Sequence, residues 1–250
     1  MEIMQGLPDA IGETVLVILV VSSFAGSFMT AAFGIGGGGF LLAVMATLVP
    51  VAALIPVHGL VQLGSNAGRT ALFFRSISWP VIPAFGLGSA LGSVAGGMVV
   101  LELPSAWVQI GVGCFVIWTV FARPPVWMRD FPIITGAVSS FLTMFFGATG
   151  LFVASFTKSR NLPRHAHVAT HAALMTIQHS LKVIVFGVLG FAFSQWWTVI
   201  VFMILAGGLG TWAGRHVLNR MNDRGFRKGL DILLVLISAR LVWVGVAELI

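Results

Sequence analysis

The fold is decided by the stretch Gly34-Ile35-Gly36-Gly37-Gly38-Gly39, which separates an apolar run over 11–33 from a second run over 39–49. Glycine is a poor helix former, so this stretch predicts an interruption between two helices. The second run has far fewer than the roughly 20 residues that a helix needs to cross a bilayer. The pattern therefore predicts a long helix, a break and a short helix.

The composition around this break is typical of a membrane protein. Of the 250 residues, 58% are hydrophobic and 9% are charged, whereas soluble domains carry about 25% charged residues. Such a chain cannot cover itself with a surface that water would tolerate, so its long apolar runs are predicted to cross a bilayer as α-helices. We predict an all-α polytopic membrane protein with a single membrane domain over 1–250.

Basic residues and the cysteine exclude other classes of protein. The 14 Lys and Arg residues are dispersed mostly in short loops between apolar runs, which favours membrane orientation over nucleic-acid binding. Cys114 is the single cysteine, so no disulfide framework and no cysteine-based metal site is predicted. We expect Cys114 to be a packed core thiol.

A second break, Gly147-Ala148-Thr149-Gly150, precedes another short apolar run over 151–157. Sliding the sequence on itself by 113 residues superposes this break on the first one and brings Arg69 onto Lys182. An offset of 118 matches 91–96 with 209–214. Internal matches at a fixed offset indicate a repeat, with the first copy over 11–122 and the second over 131–250. The superposed pairs include Thr30 with Thr143, Gly34 with Gly147, Gly37 with Gly150, Pro50 with Pro163, and His58 with His171.

Charge predicts how the two copies are oriented. Equivalent loops differ in character: the loop over 45–53 is uncharged, whereas its counterpart over 158–166 is basic. Cytoplasmic loops are enriched in Lys and Arg, so equivalent loops should face opposite sides. We predict two inverted-topology repeats, each a broken or re-entrant helix pair plus three transmembrane spans, with both termini on the outer side.

Two breaks that meet from opposite faces would bring unpaired N–H groups near the midplane, where they attract anions. The segment after each break also carries polar side chains that lipid would reject. A basic residue at matching depth in each copy suits an anionic cargo, and neighbouring amide groups can donate to its oxygens. The predicted substrate-binding residues are Gly34, Gly36, Gly37, Gly38, His58, Gln62, Ser65, Asn66, Arg69, Gly147, Gly150, His171, Thr176, Gln178, His179 and Lys182.

Other interpretations of these residues remain open. The glycines could serve close helix packing, and Arg69 and Lys182 could extend to opposite membrane interfaces. His167 and His171 are four residues apart, but no H-E-x-x-H motif, cysteine pair or carboxylate cluster accompanies them. We therefore predict neither a metal nor a cofactor. His58 and His171 fit core hydrogen bonding or proton exchange better.

The glycine break at 34–39, followed by Pro50 and the polar segment over 56–69, has a weaker second copy at 147–150, Pro163 and 171–182. This arrangement resembles the TauE/SafE family of sulfite and sulfonate transporters, also called the toluene sulfonate uptake permease group. The resemblance covers essentially the whole chain. It implies transport of sulfite, alkyl sulfonates or aromatic sulfonates across a bacterial cytoplasmic (inner) membrane, and it implies no enzymatic activity.

The leading hypothesis is alternating access, with two inverted bundles rocking about a midplane anion site. An anion channel would use the same site without closure, and a membrane-embedded metalloenzyme is the third alternative. The predicted partners are a small sulfonate or sulfite anion and membrane lipid, with no nucleic acid. A coupling proton or cation is also considered, and His58, His171 or His179 could carry the proton. The sequence predicts no oligomeric state.

Overall fold

The computed structural model describes residues 7–8, 10–33, 36–100, 104–121, 130–147, 149–217 and 224–250. These residues form helices joined by short turns, and no strand occurs within the described ranges. This confirms the all-α prediction. In chain order the helices are α1 (Glu13–Phe33), α2 (Gly37–Met45), α3 (Val51–Leu72), α4 (Ile82–Val100), α5 (Ser105–Phe121), α6 (Pro132–Phe146), α7 (Gly150–Ser159), α8 (Arg164–Val188), α9 (Trp197–Val217) and α10 (Arg224–Leu249).

Both predicted breaks lie between helices, and a short helix follows each of them. Helix α2 has 9 residues and α7 has 10, so each is only about 15 Å long at 1.5 Å per residue. Gly36 precedes α2 with φ of 101° and Gly147 follows α6 with φ of 71°. Side chains disfavour positive φ, so the chain reverses at residues that lack a Cβ. Neither short helix can cross a bilayer alone.

The surface and the interior have the distribution of a multi-pass membrane protein. Among the described residues, four helices are long and apolar enough to cross a bilayer, at Glu13–Ala32, Trp79–Val100, His165–Val188 and Phe193–His216. Large apolar side chains cover the outside, and Val188 for example is 83% exposed. Charged and amide side chains on α3 and α8 lie inside. This distribution suits a hydrocarbon solvent, where unpaired polar groups are costly at the surface.

Two helix pairs pack closely through glycine and run in the same direction. On α4, Gly92 lies against the Ala137 carbonyl of α6, and Gly96 follows against Phe141. On α9, Gly210 lies against the Phe24 carbonyl of α1, and Gly214 follows against Phe28. Because the contacts advance together along both chains, α4 is parallel to α6 and α9 is parallel to α1. Small residues permit this close approach of the backbones.

Two other helix pairs run in opposite directions. Helices α3 and α8 touch where Gly59 meets Lys182, where Thr70 bonds Thr176 and where the Phe73 ring lies 5.9 Å from that of His165. Residue numbers rise on α3 as they fall on α8, so the helices are antiparallel. The same holds for α5 and α10, whose contacts are Gly113 with Ser238 and Val242, and Gly245 with Ala106 and Ile110.

The expectation for Cys114 is wrong, because the thiol lies on the exposed side of α5. Its neighbour Gly113 faces α10, and successive helical residues are rotated by about 100° from one another. Cys114 is therefore turned away from the contact that buries Gly113. An apolar stretch in a membrane helix includes lipid-facing positions, so its apolarity does not identify a buried residue.

Candidate functional site

The polar residues after the two breaks lie on facing sides of α3 and α8, at the centre of the helix packing. Nine of the predicted site residues with polar side chains are at most 9% exposed, although water would normally solvate such groups. Burial of such groups is costly unless they have partners. These nine residues are His58, Gln62, Ser65, Asn66 and Arg69 of α3, and His171, Gln178, His179 and Lys182 of α8.

Lys182 connects α8 to the second break. Its side chain is 0% exposed, and its stem packs against Gly59 of α3. The ammonium donates to Thr143 Oγ1 at 3.2 Å and to the Gly147 carbonyl at 3.4 Å. A lysine side chain of this length reaches the break only because Gly59 leaves room for its stem.

Arg69 lies among polar side chains of α3 and α1. It is 3% exposed, and its Nη2 donates to Asn66 Oδ1 at 3.0 Å and to Ser65 Oγ at 3.4 Å. Ser65 Oγ in turn lies 2.9 Å from Ser27 Oγ of α1. The guanidinium Nε has no hydrogen-bond partner among the described residues, so the group keeps donor capacity for a further acceptor.

Neither buried cation is paired with a carboxylate among the residues that the structure describes. The carboxylate side chains whose burial the structure describes are those of Glu13, Asp130 and Glu248, and all three are exposed. The contacts of Arg69 and Lys182 are instead with neutral oxygens of hydroxyl, amide and carbonyl groups. In the part of the chain whose side chains are described, the interior therefore contains two basic groups and no buried acidic group.

Two histidines contact the first turns of the short helices. His58 Nε2 donates to the Gly38 carbonyl of α2 at 3.1 Å, and His171 Nε2 donates to the Gly150 carbonyl of α7 at 3.3 Å. The superposition of His58 on His171 thus corresponds to a similar contact at each break. Since a carbonyl only accepts, each Nε2 must carry the proton in these bonds.

His179 lies on the side of α8 that faces α3. Its ring centroid is 6.3 Å from that of His58 on α3, and the two rings meet edge to face. Both of its ring nitrogens are buried without a hydrogen-bond partner in the described part of the chain. Buried polar nitrogens normally have partners, so His179 is a ligand candidate.

Two glutamines contact the breaks themselves. Gln178 Nε2 donates to Thr149 Oγ1 at 2.9 Å, just before α7 begins, while its Oε1 has no partner. Gln62 lies against Gly38 so closely that a Cβ at Gly38 would overlap its Nε2. The side chains of α3 and α8 are thus held against α2 and α7.

Some predicted site residues have another position or role. Thr176 is half-buried, and its hydroxyl bonds the Ala172 carbonyl and lies 3.0 Å from Thr70 Oγ1, in the contact between α3 and α8. Gly37 packs against the Gly26 carbonyl of α1, which agrees with the alternative that the glycines serve close helix packing. Gly34 lies outside the described residues.

The structure also adds residues that the sequence interpretation did not select. Thr143 and Thr149 receive hydrogen bonds from Lys182 and Gln178, and Ser27 contacts Ser65. The superposition of Thr30 on Thr143 could have identified Thr143. The interfacial interpretation of Arg69 and Lys182 is wrong, because the side chains turn into the protein and do not reach the surface.

The break at Gly147 should be sensitive to any side chain. In the variant Gly147→Ala, a Cβ would occupy positive φ and meet Leu42 Cδ1 at 2.9 Å. We expect a loss of about 1–3 kcal/mol in folding free energy, the usual cost of such backbone strain. Thermal unfolding of the purified protein, followed by size-exclusion fluorescence, would measure the shift.

Gly39→Ala is the matched control, because Gly39 belongs to the other break and a Cβ there meets nothing within 4 Å. The Gly39→Ala protein should unfold at the wild-type temperature or above, since alanine favours helix more than glycine does. Equal unfolding temperatures for Gly147→Ala and Gly39→Ala would contradict the strained turn at Gly147.

Comparison with known proteins adds one finding. A family model described as "Sulfite exporter TauE/SafE" matches residues 18–241 of this chain. That range includes both breaks, the polar faces of α3 and α8, and all residues of the buried cluster. No curated protein and no solved structure matches the chain.

Proposed function

We propose a function for this protein from one premise: the chain belongs to the TauE/SafE family of sulfite exporters. The family is one of membrane transporters of sulfite and related sulfur anions. The proposed function is transport of small sulfur-containing anions, including sulfite and alkyl or aromatic sulfonates, across the bacterial cytoplasmic membrane. The anion would bind between α3 and α8, beside the two glycine breaks.

One observation carries this proposal: Arg69 and Lys182 are buried, and none of the carboxylate side chains that the structure describes lies beside them. An uncompensated buried charge costs several kcal/mol, so the site should favour an anion as the missing partner. A sulfite or sulfonate group offers several acceptor oxygens to these donors and to the unpartnered nitrogens of His179. Charge-assisted hydrogen bonds of this kind are stronger than neutral ones.

The proposal includes two inverted repeats over 11–122 and 131–250. A two-fold axis in the membrane plane requires that each helix be antiparallel to its own counterpart, and the packing of α3 on α8 and of α5 on α10 supports this. Such an axis also requires that α1 pack on α9 in the same way as α6 packs on α4. The glycine contacts support this, because glycines of α9 lie against the backbone of α1 and glycines of α4 lie against the backbone of α6. The predicted outer location of both termini is part of the same proposal.

The proposed mechanism is alternating access. The two breaks interrupt the helices beside the site. Helices α3 and α8 meet through a hydroxyl contact and the stem of Lys182, and a small rotation of one helix against the other could alter both contacts. The anion would first bind to the cation of one copy. As the two bundles rock, the anion would move to the cation of the other copy, or the other copy would close over it. A coupling proton carried by His58, His171 or His179 belongs to the same hypothesis.

Transport by purified protein in liposomes tests the function. Labelled sulfite should exchange against unlabelled internal sulfite in a saturable manner, because a carrier binds its cargo at every cycle. Turnover far above about 10⁴ ions per second, an order-of-magnitude limit set by domain motions, would indicate an anion channel. Liposomes that exchange neither sulfite nor any sulfonate faster than protein-free liposomes would contradict the proposed function.

A further inference from the structure

The charge of the cargo follows from the groups that surround it. Arg69 is 3% exposed and Lys182 is 0% exposed, so water does little to screen either charge. Each residue also comes from a different copy of the repeat, on α3 and on α8. The site therefore presents two cationic groups and not one.

The existing contacts of the two cations solvate them but do not neutralise them. Lys182 donates to a hydroxyl and a carbonyl, and Arg69 donates to an amide oxygen and a hydroxyl. These acceptors are neutral, and the three carboxylate side chains that the structure describes, Glu13, Asp130 and Glu248, are exposed. Two negative charges would balance the pair, whereas one would leave a buried cation uncompensated.

From this arrangement we propose that the site is selective for dianions, an inference that rests on the proposed function. The cargo is either compact, as sulfite is, or has an anionic group at each end, as sulfoacetate has. Its two charges engage Arg69 of one copy and Lys182 of the other. His179 lies three residues before Lys182 on α8, on the same side of that helix. Its two ring nitrogens have no hydrogen-bond partner among the described residues, so they are available to the same anion.

Pairs of anions that differ in charge but little in shape test this selectivity. Sulfate and methanesulfonate form a compact pair, and sulfoacetate and its amide form an extended pair. Binding to detergent-solubilised protein at pH 8 is measured for all four by isothermal titration calorimetry. In at least one pair the dianion should bind about 10-fold more tightly or better. Equal or tighter binding of the monoanion in both pairs would overturn the proposal.

The variant Lys182→Gln tests the origin of the preference, since glutamine keeps hydrogen-bond donors but removes the charge. We expect the dianion to lose at least 10-fold in affinity while the monoanion changes by less than about 3-fold, so that the preference nearly disappears. An equal loss for both anions would overturn the proposal. Arg69→Gln gives a second, independent measurement should the first variant not fold.

The outcomes separate the two proposals. Binding and exchange of monoanionic sulfonates with no preference for dianions would leave sulfur-anion transport standing and remove only the selectivity. Failure of all four anions to bind, together with no exchange of sulfite in liposomes, would remove both. Tight binding of dianions with exchange of sulfite supports both.

Discussion

Replacement of Lys182 by methionine is expected to reduce the affinity for transported sulfite by about 30-fold or more. Methionine has a similar unbranched stem and can occupy the space beside Gly59, but it removes the donor to Thr143 and to the second break. Loss of one partner in a buried charge pair costs about 2–5 kcal/mol. The concentration dependence of sulfite exchange in liposomes would measure the change.

Arg75→Gln provides the control for this loss of charge. Arg75 follows α3 closely but is exposed, and exposed charges contribute little to either stability or binding. Its removal should leave sulfite exchange within about 2-fold of wild type. If Lys182→Met exchanges sulfite with unchanged affinity, Lys182 is not part of the anion site, and the assignment of the site to α3 and α8 loses its main support.

Substitution of Gly210 by valine is expected to remove most of the folded protein. A Cβ at Gly210 would overlap the backbone carbonyl of Phe24, and backbone cannot move aside as a side chain can. Overpacking of a close contact typically costs about 1–3 kcal/mol in folding free energy and sometimes more. The contact of Gly92 with Ala137 is equally close, because a Cβ at Gly92 would overlap the Ala137 carbonyl. The yield of monodisperse protein in size-exclusion chromatography would report the loss.

Gly208→Val is the matched control in the same helix. A Cβ at Gly208 meets no atom within 4 Å, so the same side chain should be accommodated there with near wild-type yield. Should Gly210→Val purify as well as Gly208→Val, the close parallel packing of α1 and α9 would be incorrect, and with it the support from these helices for a two-fold arrangement.

The breaks and the polar faces could be predicted from sequence because both are local properties. Five glycines within 34–39 end a helix wherever they occur, and a run as short as 151–157 cannot span a bilayer. Side chains such as Asn66 and Gln178 are costly in lipid, so their burial follows from their chemistry alone. The repeat superposition similarly indicated that His58 and His171 have equivalent positions.

The hydrogen-bond and packing partners of these residues could not be predicted in the same way. The contact of Lys182 with Thr143 joins residues 39 apart in sequence, and the bond from Ser23 to the Met203 carbonyl joins residues 180 apart. Repeat matching showed that Thr143 is equivalent to Thr30, but not that a lysine on α8 would reach it. The exposure of Cys114 also depended on which side of α5 packs against α10.

The sequence by itself determined that this is a helical membrane protein with two interrupted helices and with polar residues that lipid excludes. These properties follow from the transfer free energy and backbone preference of each segment, which hardly depend on distant residues. The tertiary structure alone decided that Gly59 makes room for Lys182 and that Gly37 serves packing. It also decided that Arg69 of α3 and Lys182 of α8 are both buried. Such contacts depend on how helices are placed against one another, and side-chain spacing along a single helix does not specify that placement.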